Sequence, residues 1–276
     1  MTNIWSYEGK RVAIVGCFSG MGEACARELV KLGAEVHGAD IRESPVNLAS
    51  FTQVDLKDWS SIDKAVAGIG GEIDALFNCA GLPQTFPALD VMRVNFMGIR
   101  HWTEQWLPKM KRPGAVASIS SLAGMGWLQN VPLLKEAIAI DGEKELIAWF
   151  ESHQEAVGDG YGFSKQLLNA WTQIQAVKYA KEGIRFNVTM PSPVKTPMYK
   201  DFQQVAGDGV LNAFTAPTGR FCDPAEQGNP LVYLNSDAAS FISGVALPVD
   251  HGFFGGVVTG ELNVQELLAQ AAAANA

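Results

Sequence analysis

The chain has 276 residues, of which 47% are hydrophobic and 18% are charged, and its formal net charge is −8. This length is sufficient for one large domain with a sizeable core, and the composition is ordinary for a globular protein. The acidic balance argues against nucleic acid as a partner, because phosphate binding requires clustered cations. The polar segment from Met1 to Lys10 and the absence of a long apolar run predict neither a signal peptide nor a membrane partner, so we expect a cytoplasmic protein.

Cysteine and histidine are few and scattered along the chain. The four cysteines, Cys17, Cys25, Cys79 and Cys222, form no C-x-x-C pair, which argues against a disulfide framework or a zinc site. The four histidines lack carboxylate or cysteine neighbours at the spacing of metal ligands. We therefore expect buried thiols in a reducing compartment and no metal site.

The first predicted element is a short buried strand, Arg11–Val15, which runs into a glycine-rich turn. Gly16, Gly20 and Gly22 occupy this turn, and a helical pattern follows over residues 23–32. A glycine-rich turn between a strand and a helix lets the backbone approach a pyrophosphate, whose charge the helix N-terminus favours. The spacing G-x-x-x-G-x-G differs from the usual G-x-G-x-x-G, and any tight strand-to-helix turn also favours glycine, so the motif is weak alone.

A second predicted strand, Glu35–Ala39, ends at an acidic side chain. Asp40 at this position can accept hydrogen bonds from the ribose hydroxyls of a dinucleotide, and its charge would repel a 2′-phosphate. No Lys or Arg lies between Gly16 and Gly22 to offset that repulsion, although Arg42 could reverse the preference by swinging over the ribose. We therefore predict NAD rather than NADP as the cofactor.

The most informative motif is a tyrosine and a lysine four residues apart. Tyr161 and Lys165 would lie on one face of a helix, where the ammonium can favour the phenolate and lower the pKa of the phenol. A hydroxyl from the upstream run Ser118–Ser121 could hold a carbonyl or hydroxyl oxygen. This combination suits proton exchange with an alcohol while a cofactor moves a hydride.

Over residues 9–252 the order of these motifs resembles that of the short-chain dehydrogenases/reductases. The motifs that carry the resemblance are Gly16, Gly20 and Gly22, Asp40, Asp55 between Val54 and Leu56, the run Asn78–Gly81, Asn95 between Val94 and Phe96, Ser121, Tyr161, Lys165, and the run Asn187–Pro191. The resemblance implies an α/β fold, in which one Rossmann-type domain spans 1–276. Its doubly wound parallel sheet would carry helices on both faces.

The resemblance assigns catalytic roles to four residues. Asn95 is expected to kink its helix and hold a water in a proton relay, and Ser121 to orient the substrate oxygen. Tyr161 is expected to act as the general acid/base, and Lys165 to bind the nicotinamide ribose and lower the Tyr161 pKa. The implied cofactor contacts are Gly16, Ser19, Gly20, Met21, Gly22, Asp40, Ile41, Asp55, Leu56, Asn78, Ala80, Gly81, Tyr161, Lys165, Pro191, Val194 and Thr196.

The interval between Ser121 and Tyr161 is longer than in most members of this family. Residues 122–160 contain two runs with apolar residues at helical spacing, Leu133–Ile138 and Glu145–Phe150, which predict two short helices before the tyrosine helix. A similar insertion occurs in the bacterial 3α-hydroxysteroid dehydrogenase/carbonyl reductase branch. The insertion could cover the substrate, modify a subunit interface, or form a surface excursion with its own small core.

Two further segments concern the substrate and the end of the chain. The segment 195–220 is apolar and contains Gly207 and Gly209, which predicts a flexible loop that closes over an uncharged, largely apolar alcohol or ketone. Residues 256–276 are expected to form a C-terminal tail, whose Ala-rich end predicts a fraying helix or an extended tail.

Three tryptophans, Trp102, Trp106 and Trp171, lie on the predicted helices that follow Asn95 and Lys165. We expect them in the core or at a subunit interface rather than at a cofactor. These two helices commonly form the subunit interface in the family, so the resemblance implies a homodimer or a homotetramer.

The sequence leaves three functions open. The first is an NAD-dependent dehydrogenase/ketoreductase acting on an apolar cyclic or steroid-like secondary alcohol. The second is the same chemistry on a smaller alicyclic, terpene or aryl alcohol. The third is a non-catalytic NAD(H)-binding sensor, against which the complete set of Asn95, Ser121, Tyr161 and Lys165 argues.

Overall fold

The computed structural model describes residues 3–274. Within these residues, a single parallel sheet contains seven strands. They are β1 Arg11–Val15, β2 Glu35–Asp40, β3 Ser50–Gln53, β4 Ile73–Asn78, β5 Met110–Ile119, β6 Ile184–Pro191 and β7 Ala246–Val249. Their order across the sheet is β3-β2-β1-β4-β5-β6-β7, and each pairs in parallel with its neighbours.

Helices alternate with these strands along most of the chain. The α-helices are α1 Gly20–Lys31, α2 Trp59–Ile69, α3 Ala88–Met92, α4 Ile99–Trp106, α5 Val131–Ile138, α6 Glu143–Ser152, α7 Gln154–Val157, α8 Tyr161–Lys178, α9 Tyr199–Ala213, α10 Pro224–Asn235, α11 Phe253–Thr259 and α12 Val264–Ala274. A π-helical segment, Arg93–Gly98, joins α3 to α4, and a 3₁₀ segment, Leu122–Asn130, precedes α5.

The sheet is covered by helices on both faces, as β1 illustrates. Ala13 and Val15 point into one core layer, which α2, α4 and α8 complete. Val12 and Ile14 point into the other layer, which α1 and α10 complete. All four side chains are fully buried, because successive residues of a strand face opposite sides of the sheet and both sides are covered. The predicted doubly wound α/β fold is confirmed.

The chain reverses direction across the sheet between β1 and β4. Val15 at the end of β1 pairs with Ala39 of β2 on one side and with Asn78 of β4 on the other. The turns that follow these three strands therefore meet at one edge of the sheet, where Rossmann-type folds bind their ligands.

The insertion contains the two predicted helices, which are α5 and α6. It packs on the main body of the protein through Arg100 of α4, whose guanidinium donates to Ile138 O at 3.0 Å and Ile140 O at 2.8 Å and pairs with Asp141 at 2.6 Å. Side chains of the insertion, Phe150 among them, belong to the same core layer as α4 and α8. The alternative of a surface excursion with its own small core is therefore wrong.

The three tryptophans belong to the core of the subunit. Trp102 and Trp106 are fully buried and pack edge to face at 5.9 Å, and buried Trp171 packs in the same manner on Phe186. Because α5 also packs on α8, the insertion covers part of the surface that the family resemblance assigns to subunit contact. The homodimer or homotetramer stays a prediction.

The segments 195–220 and 256–276 differ from the expectation in their local structure. The first is mainly the helix α9 rather than a loop, with a break at Gly207, whose φ of 78° and ψ of 159° are not helical. The tail continues as helix to Ala274 and packs on α9, where Val264 and Leu267 join an apolar cluster around Phe253. Residues 275 and 276 lie outside the described residues.

The described part of the chain contains neither a membrane-spanning helix nor a metal-binding cluster. In residues 3–274, no helix combines the length and the apolar character needed to span a bilayer. The same residues contain no cluster of three or more His, Cys, Asp or Glu side chains able to hold a metal ion. Cys17, Cys25, Cys79 and Cys222 are free thiols.

Candidate active site

The glycine-rich turn after β1 requires glycine at its first two positions. Gly16 has a φ of 88°, and a Cβ there would lie 2.2 Å from Ala80 N. Gly20 has a φ of 63°, and a Cβ there would lie 3.0 Å from Thr196 Cγ2. Ser19 precedes α1 without capping it through its side chain, so its hydroxyl leaves the first N–H groups of that helix to an external acceptor. This geometry fits a bound pyrophosphate.

Asp40 faces the glycine-rich turn from the end of β2. Its carboxylate accepts hydrogen bonds from Phe18 N at 2.9 Å and from Arg42 N at 3.2 Å. The Arg42 guanidinium lies 4.0 Å from the centroid of the Phe18 ring, so this cation stacks on an aromatic side chain at the same end of the site. Asp40 and Arg42, the acidic and basic residues on which the predicted cofactor preference depends, therefore lie close together.

A cavity of about 590 Å³ runs along this edge of the sheet. The predicted cofactor contacts that line it are Gly16, Ser19, Asp40, Ile41, Asp55, Leu56, Ala80 and Gly81. Lining residues that were not predicted as contacts include Phe18, Arg42, Lys57, Leu82, Phe86 and Asp201. Most of these are chain neighbours of predicted contacts, which is the signal that could have identified them. Phe86 and Asp201 lie in segments whose position depends on tertiary packing, so no local signal identifies them.

Asn78 does not line this cavity, and its assignment as a cofactor contact stays a prediction. Its side chain is buried and donates to Thr103 Oγ1 and to Ser118 Oγ, both at 3.0 Å. As the last residue of β4, Asn78 faces the core, while the residues Cys79, Ala80 and Gly81 after it face the cavity. Its amide therefore ties β4 to β5 and α4.

The remaining predicted cofactor contacts support the site rather than line this cavity. Met21 packs on the core layer of α1, and a Cβ on Gly22 would lie 1.9 Å from Gly16 O, so this glycine allows the helix to approach the turn. Pro191 ends β6, and Val194 pairs with Cys222 in an isolated bridge at the base of the segment 195–220. Thr196 lies against Gly20.

Ser121 and Tyr161 meet at the carboxyl end of β5. Ser121 begins the segment after β5, Tyr161 is the first residue of α8, and the Ser121 hydroxyl lies close enough to the phenol to act to lower its pKa. The neighbouring Ser120 is buried and donates instead to Lys165 O at 3.2 Å. Of the two adjacent serines, Ser121 is therefore the one placed beside Tyr161.

Lys165 and Asn95 both lie close to Gly81. Lys165 Nζ is 5.6 Å from the centroid of the Tyr161 ring and donates to Ile119 O at 3.0 Å. A Cβ on Gly81 would lie 3.3 Å from Asn95 Oδ1 and 3.8 Å from Lys165 Nζ. Glycine at this position therefore lets the backbone approach both polar side chains.

Asn95 lies in the π-helical segment 93–98, so the predicted irregularity in its helix is present. Its side chain accepts from Leu82 N at 2.7 Å and donates to Leu82 O at 3.0 Å. These bonds hold the loop that follows β4 and so position the wall of the cavity. The water-holding role of Asn95 stays a prediction.

Burial dominates the ionisation of the two key groups. Burial raises the pKa of Tyr161 to about 12, although the Ser121 hydrogen bond acts to lower it. Burial also lowers the pKa of Lys165 to about 8, because it disfavours the charged ammonium. Desolvation of the phenol outweighs the other influences on the Tyr161 pKa, and the lowering of this pKa by Lys165 stays a prediction.

Comparison with known proteins identifies the family. A family model described as short chain dehydrogenase matches residues 10–132, and one described as Enoyl-(Acyl carrier protein) reductase matches residues 150–254. The chain belongs to the short-chain dehydrogenase family. The residues between the two matches, 133–149, hold most of α5 and α6, so the family models do not match the middle of the insertion of this short-chain dehydrogenase.

Similar proteins in this family act on alcohols and ketones. The chain is 31% identical over 244 residues to the coniferyl-alcohol dehydrogenase of Pseudomonas sp. (strain HR199 / DSM 7063), covering 88% of this chain and 96% of that protein. It is 30% identical over 247 residues to the 3-alpha-hydroxysteroid dehydrogenase/carbonyl reductase of Comamonas testosteroni, covering 87% and 95%. This short-chain dehydrogenase is thus an oxidoreductase of alcohols and ketones that uses a nicotinamide cofactor.

A solved structure agrees with the fold of this short-chain dehydrogenase. The 3-alpha-hydroxysteroid dehydrogenase from Pseudomonas sp. B-0831, complexed with NADH, superposes with a TM-score of 0.77 at 27% sequence identity. The match covers 92% of this chain and 100% of that chain. The predicted resemblance to the hydroxysteroid dehydrogenase branch is confirmed as a similarity of sequence and fold.

Proposed function

We propose that this protein is an NAD-dependent dehydrogenase/ketoreductase that interconverts an apolar secondary alcohol and its ketone. The observation that carries the proposal is the placement of Ser121 beside Tyr161, with Lys165 and Asn95 next to them at the same edge of the sheet as Asp40. A catalytically silent NAD(H) sensor has no need of this arrangement. We therefore favour an enzyme over the sensor.

The proton chemistry is assigned to Tyr161. In ketone reduction the carbonyl oxygen lies between Ser121 Oγ and the phenol, and Tyr161 gives its proton to the forming alkoxide; oxidation runs the same path in reverse. When bound, NAD(H) supplies the hydride chemistry at the carbinol carbon. Because the pKa of Tyr161 is about 12, the phenol is already protonated at neutral pH, as reduction requires. Lys165 is the cation placed to favour the phenolate that oxidation requires.

The preference for NAD is assigned to Asp40. Its carboxylate lies at the turn where the adenosine ribose would bind, and a second negative charge on a 2′-phosphate would be repelled there. Arg42 stacks on Phe18 next to this position, so it is the group that could admit a phosphate. The similar hydroxysteroid dehydrogenase complexed with NADH supports the assignment.

The substrate is proposed to be apolar and uncharged. Apolar side chains cluster beside the catalytic groups, with Leu122 next to Ser121, Phe214 from the segment 195–220 and Phe254 from α11. A cyclic or steroid-like alcohol is the first candidate, supported by the two hydroxysteroid dehydrogenase relatives. A smaller aryl alcohol is the second, supported by the similarity to a coniferyl-alcohol dehydrogenase.

Formation of NADH with a panel of alcohols graded in size, from cyclohexanol and aryl carbinols to hydroxysteroids, tests this proposal. The Tyr161→Phe and Ser121→Ala variants should lose turnover while NADH binding, followed by its fluorescence, stays near wild type. Ser120→Ala is the matched control, since its hydroxyl bonds to Lys165 O rather than to the phenol. Turnover retained in Tyr161→Phe would refute the mechanism, and NADH binding without turnover on any alcohol or ketone would favour the sensor.

A further inference from the structure

One aromatic side chain of α9 contacts the catalytic tyrosine. The ring of Phe202 lies 5.2 Å from the ring of Tyr161, centroid to centroid, at an interplanar angle of 69°, so the two rings pack edge to face. The Ser121 hydroxyl lies beside the same phenol. The Phe202 ring is therefore the aromatic side chain of α9 that lies next to the group assigned to proton transfer.

The residue that precedes Phe202 is held by a hydrogen bond to the loop after β4. Asp201 lines the cofactor cavity and accepts this bond at 2.9 Å from the exposed hydroxyl of Thr85. We call this pair, Thr85 and Asp201, the clasp. It fastens the first turns of α9 to the body of the protein, beside the place where the substrate must bind.

The first turns of α9 are separate from the rest of that helix. Gly207 interrupts the helix with a φ of 78° and a ψ of 159°, and it has open space around its Cα. The second half of α9 leads to Phe214, which packs on Phe253 and the cluster of the C-terminal tail. Phe202 therefore lies in the half of α9 that carries the clasp and contacts Tyr161.

We propose that Phe202 is a specificity-determining residue, which favours substrates whose reacting carbon carries a flat, unsaturated group such as an aryl ring. Aromatic rings attract one another through their electrostatic quadrupoles in addition to the apolar area that they bury. A saturated ring of similar size gains only the area term when it contacts Phe202. The inference rests on the proposed function and deepens it, since it assigns the substrate class of the same site.

The test compares 1-phenylethanol with 1-cyclohexylethanol, which have the same carbon skeleton and differ in ring unsaturation. We expect Phe202→Leu to lower the ratio of kcat/KM for the aryl over the saturated alcohol by about three- to tenfold relative to wild type. Because each ratio is divided by that of wild type, the intrinsic reactivities of the two alcohols cancel. Phe202→Tyr keeps the ring and should keep the ratio.

A matched control is available on the same helix. Tyr199 packs edge to face on Phe221 at 5.3 Å, away from Tyr161, so Tyr199→Leu also removes a ring from α9 and should leave the ratio unchanged. Thr85→Val removes the hydroxyl of the clasp while keeping the shape of the side chain. We expect it to lower the ratio in the same direction as Phe202→Leu, because the half of α9 that carries Phe202 loses this hydrogen bond.

A binding measurement separates this inference from the proposed function. The affinities of acetophenone and cyclohexyl methyl ketone, measured by calorimetry without turnover, should show the same three- to tenfold loss of aryl preference in Phe202→Leu. An unchanged ratio of affinities and of kcat/KM overturns the role of Phe202, whether or not the enzyme is active. Absence of turnover in wild type on every alcohol and ketone overturns the proposed function instead, and the ketone affinities still decide the role of Phe202.

Discussion

The buried charge of Lys165 is expected to lower the free energy of unfolding of the protein. Its ammonium is buried, and its hydrogen bond to a protein carbonyl is the one to Ile119 O at 3.0 Å. Burial lowers its pKa from the ordinary value of 10.5 to about 8, so the folded protein resists the charge that Lys165 carries at neutral pH. We therefore predict that Lys165→Met abolishes turnover and stabilises the protein.

The magnitude follows from the pKa. The fall from 10.5 to about 8 corresponds to about 3 kcal/mol of unfavourable free energy when Lys165 is charged. Methionine has a similar shape and removes this cost, but it leaves Ile119 O without its partner, which costs about 1 kcal/mol. The expected net gain is about 2 kcal/mol in the free energy of unfolding at pH 7, or a rise in Tm of roughly 4–8 °C.

The sign of the pH dependence gives a second check. Between pH 8 and 10.5 the unfolded chain keeps the proton of Lys165 while the folded protein has released it, so the stability of wild type rises with pH over this range. The advantage of Lys165→Met is therefore greatest below pH 8 and fades toward pH 10.5. Urea unfolding of both proteins from pH 7 to 10.5 measures this difference.

The control is Lys178→Met, which changes an exposed lysine at the end of the same helix. It should alter the free energy of unfolding by no more than about 0.5 kcal/mol at any pH in the series. Equal or lower stability of Lys165→Met at pH 7, or a difference that does not shrink with rising pH, refutes the reasoning.

Three further variants test other parts of the structure. Asp40→Ala should narrow the preference for NAD over NADP, measured as the ratio of kcat/KM for the two cofactors, and an unchanged ratio shows that the ribose assignment is wrong. Arg100→Leu should lower the free energy of unfolding, measured with urea, by about 2–4 kcal/mol, because Ile138 O and Ile140 O lose a buried donor. The control Arg27→Met, which removes an exposed ion pair with Glu23, should lower it by less than about 1 kcal/mol. Deletion of residues 261–276 should raise KM for the alcohol several-fold and leave the Kd for NADH unchanged, because α12 packs on α9; an unchanged KM contradicts a supporting role of the tail.

The fold and the cofactor edge could be predicted because their determinants are local. The strand Arg11–Val15 is apolar from Val12 onward, the glycines after it permit a positive φ at Gly16 and Gly20, and β2 ends at Asp40. A parallel strand order then brings the strand ends together. The two insertion helices were also predictable, since apolar residues recur at helical spacing in each.

Local structure is hardest to predict where a contact between residues distant in the chain decides it. Asn78 belongs to a recognisable run, but the side of the sheet on which its amide finds Thr103 and Ser118 depends on the packing of α4 and β5. The glycines of the segment 195–220 suggested a loop, yet only Gly207 departs from helical geometry within α9. The helix α9 packs against α12, whose residues lie far along the chain.

The ionisation of the site is the clearest case of a property that spacing cannot give. The distance of four residues places Tyr161 and Lys165 one turn apart, and on that basis an ammonium should make the phenol more acidic. Burial changes the two groups in opposite directions, to a pKa of about 12 for Tyr161 and about 8 for Lys165. The more acidic group of the pair is therefore Lys165.

This inverted order has a mechanistic consequence. On raising the pH of the protein without cofactor, Lys165 should lose its proton near pH 8 while Tyr161 keeps its own. A protonated phenol beside Ser121 is the form that reduces a ketone, so the site alone favours proton donation, and oxidation needs a change that makes the phenolate accessible. Because Lys165 loses its charge near pH 8, a higher pH removes the cation that would favour the phenolate. Without cofactor, tyrosinate absorbance of wild type compared with that of Tyr161→Phe should therefore show no ionisation of Tyr161 below pH 10. An ionisation below pH 10 that is present in wild type and absent from Tyr161→Phe would show that Lys165 lowers the Tyr161 pKa, as their spacing suggests.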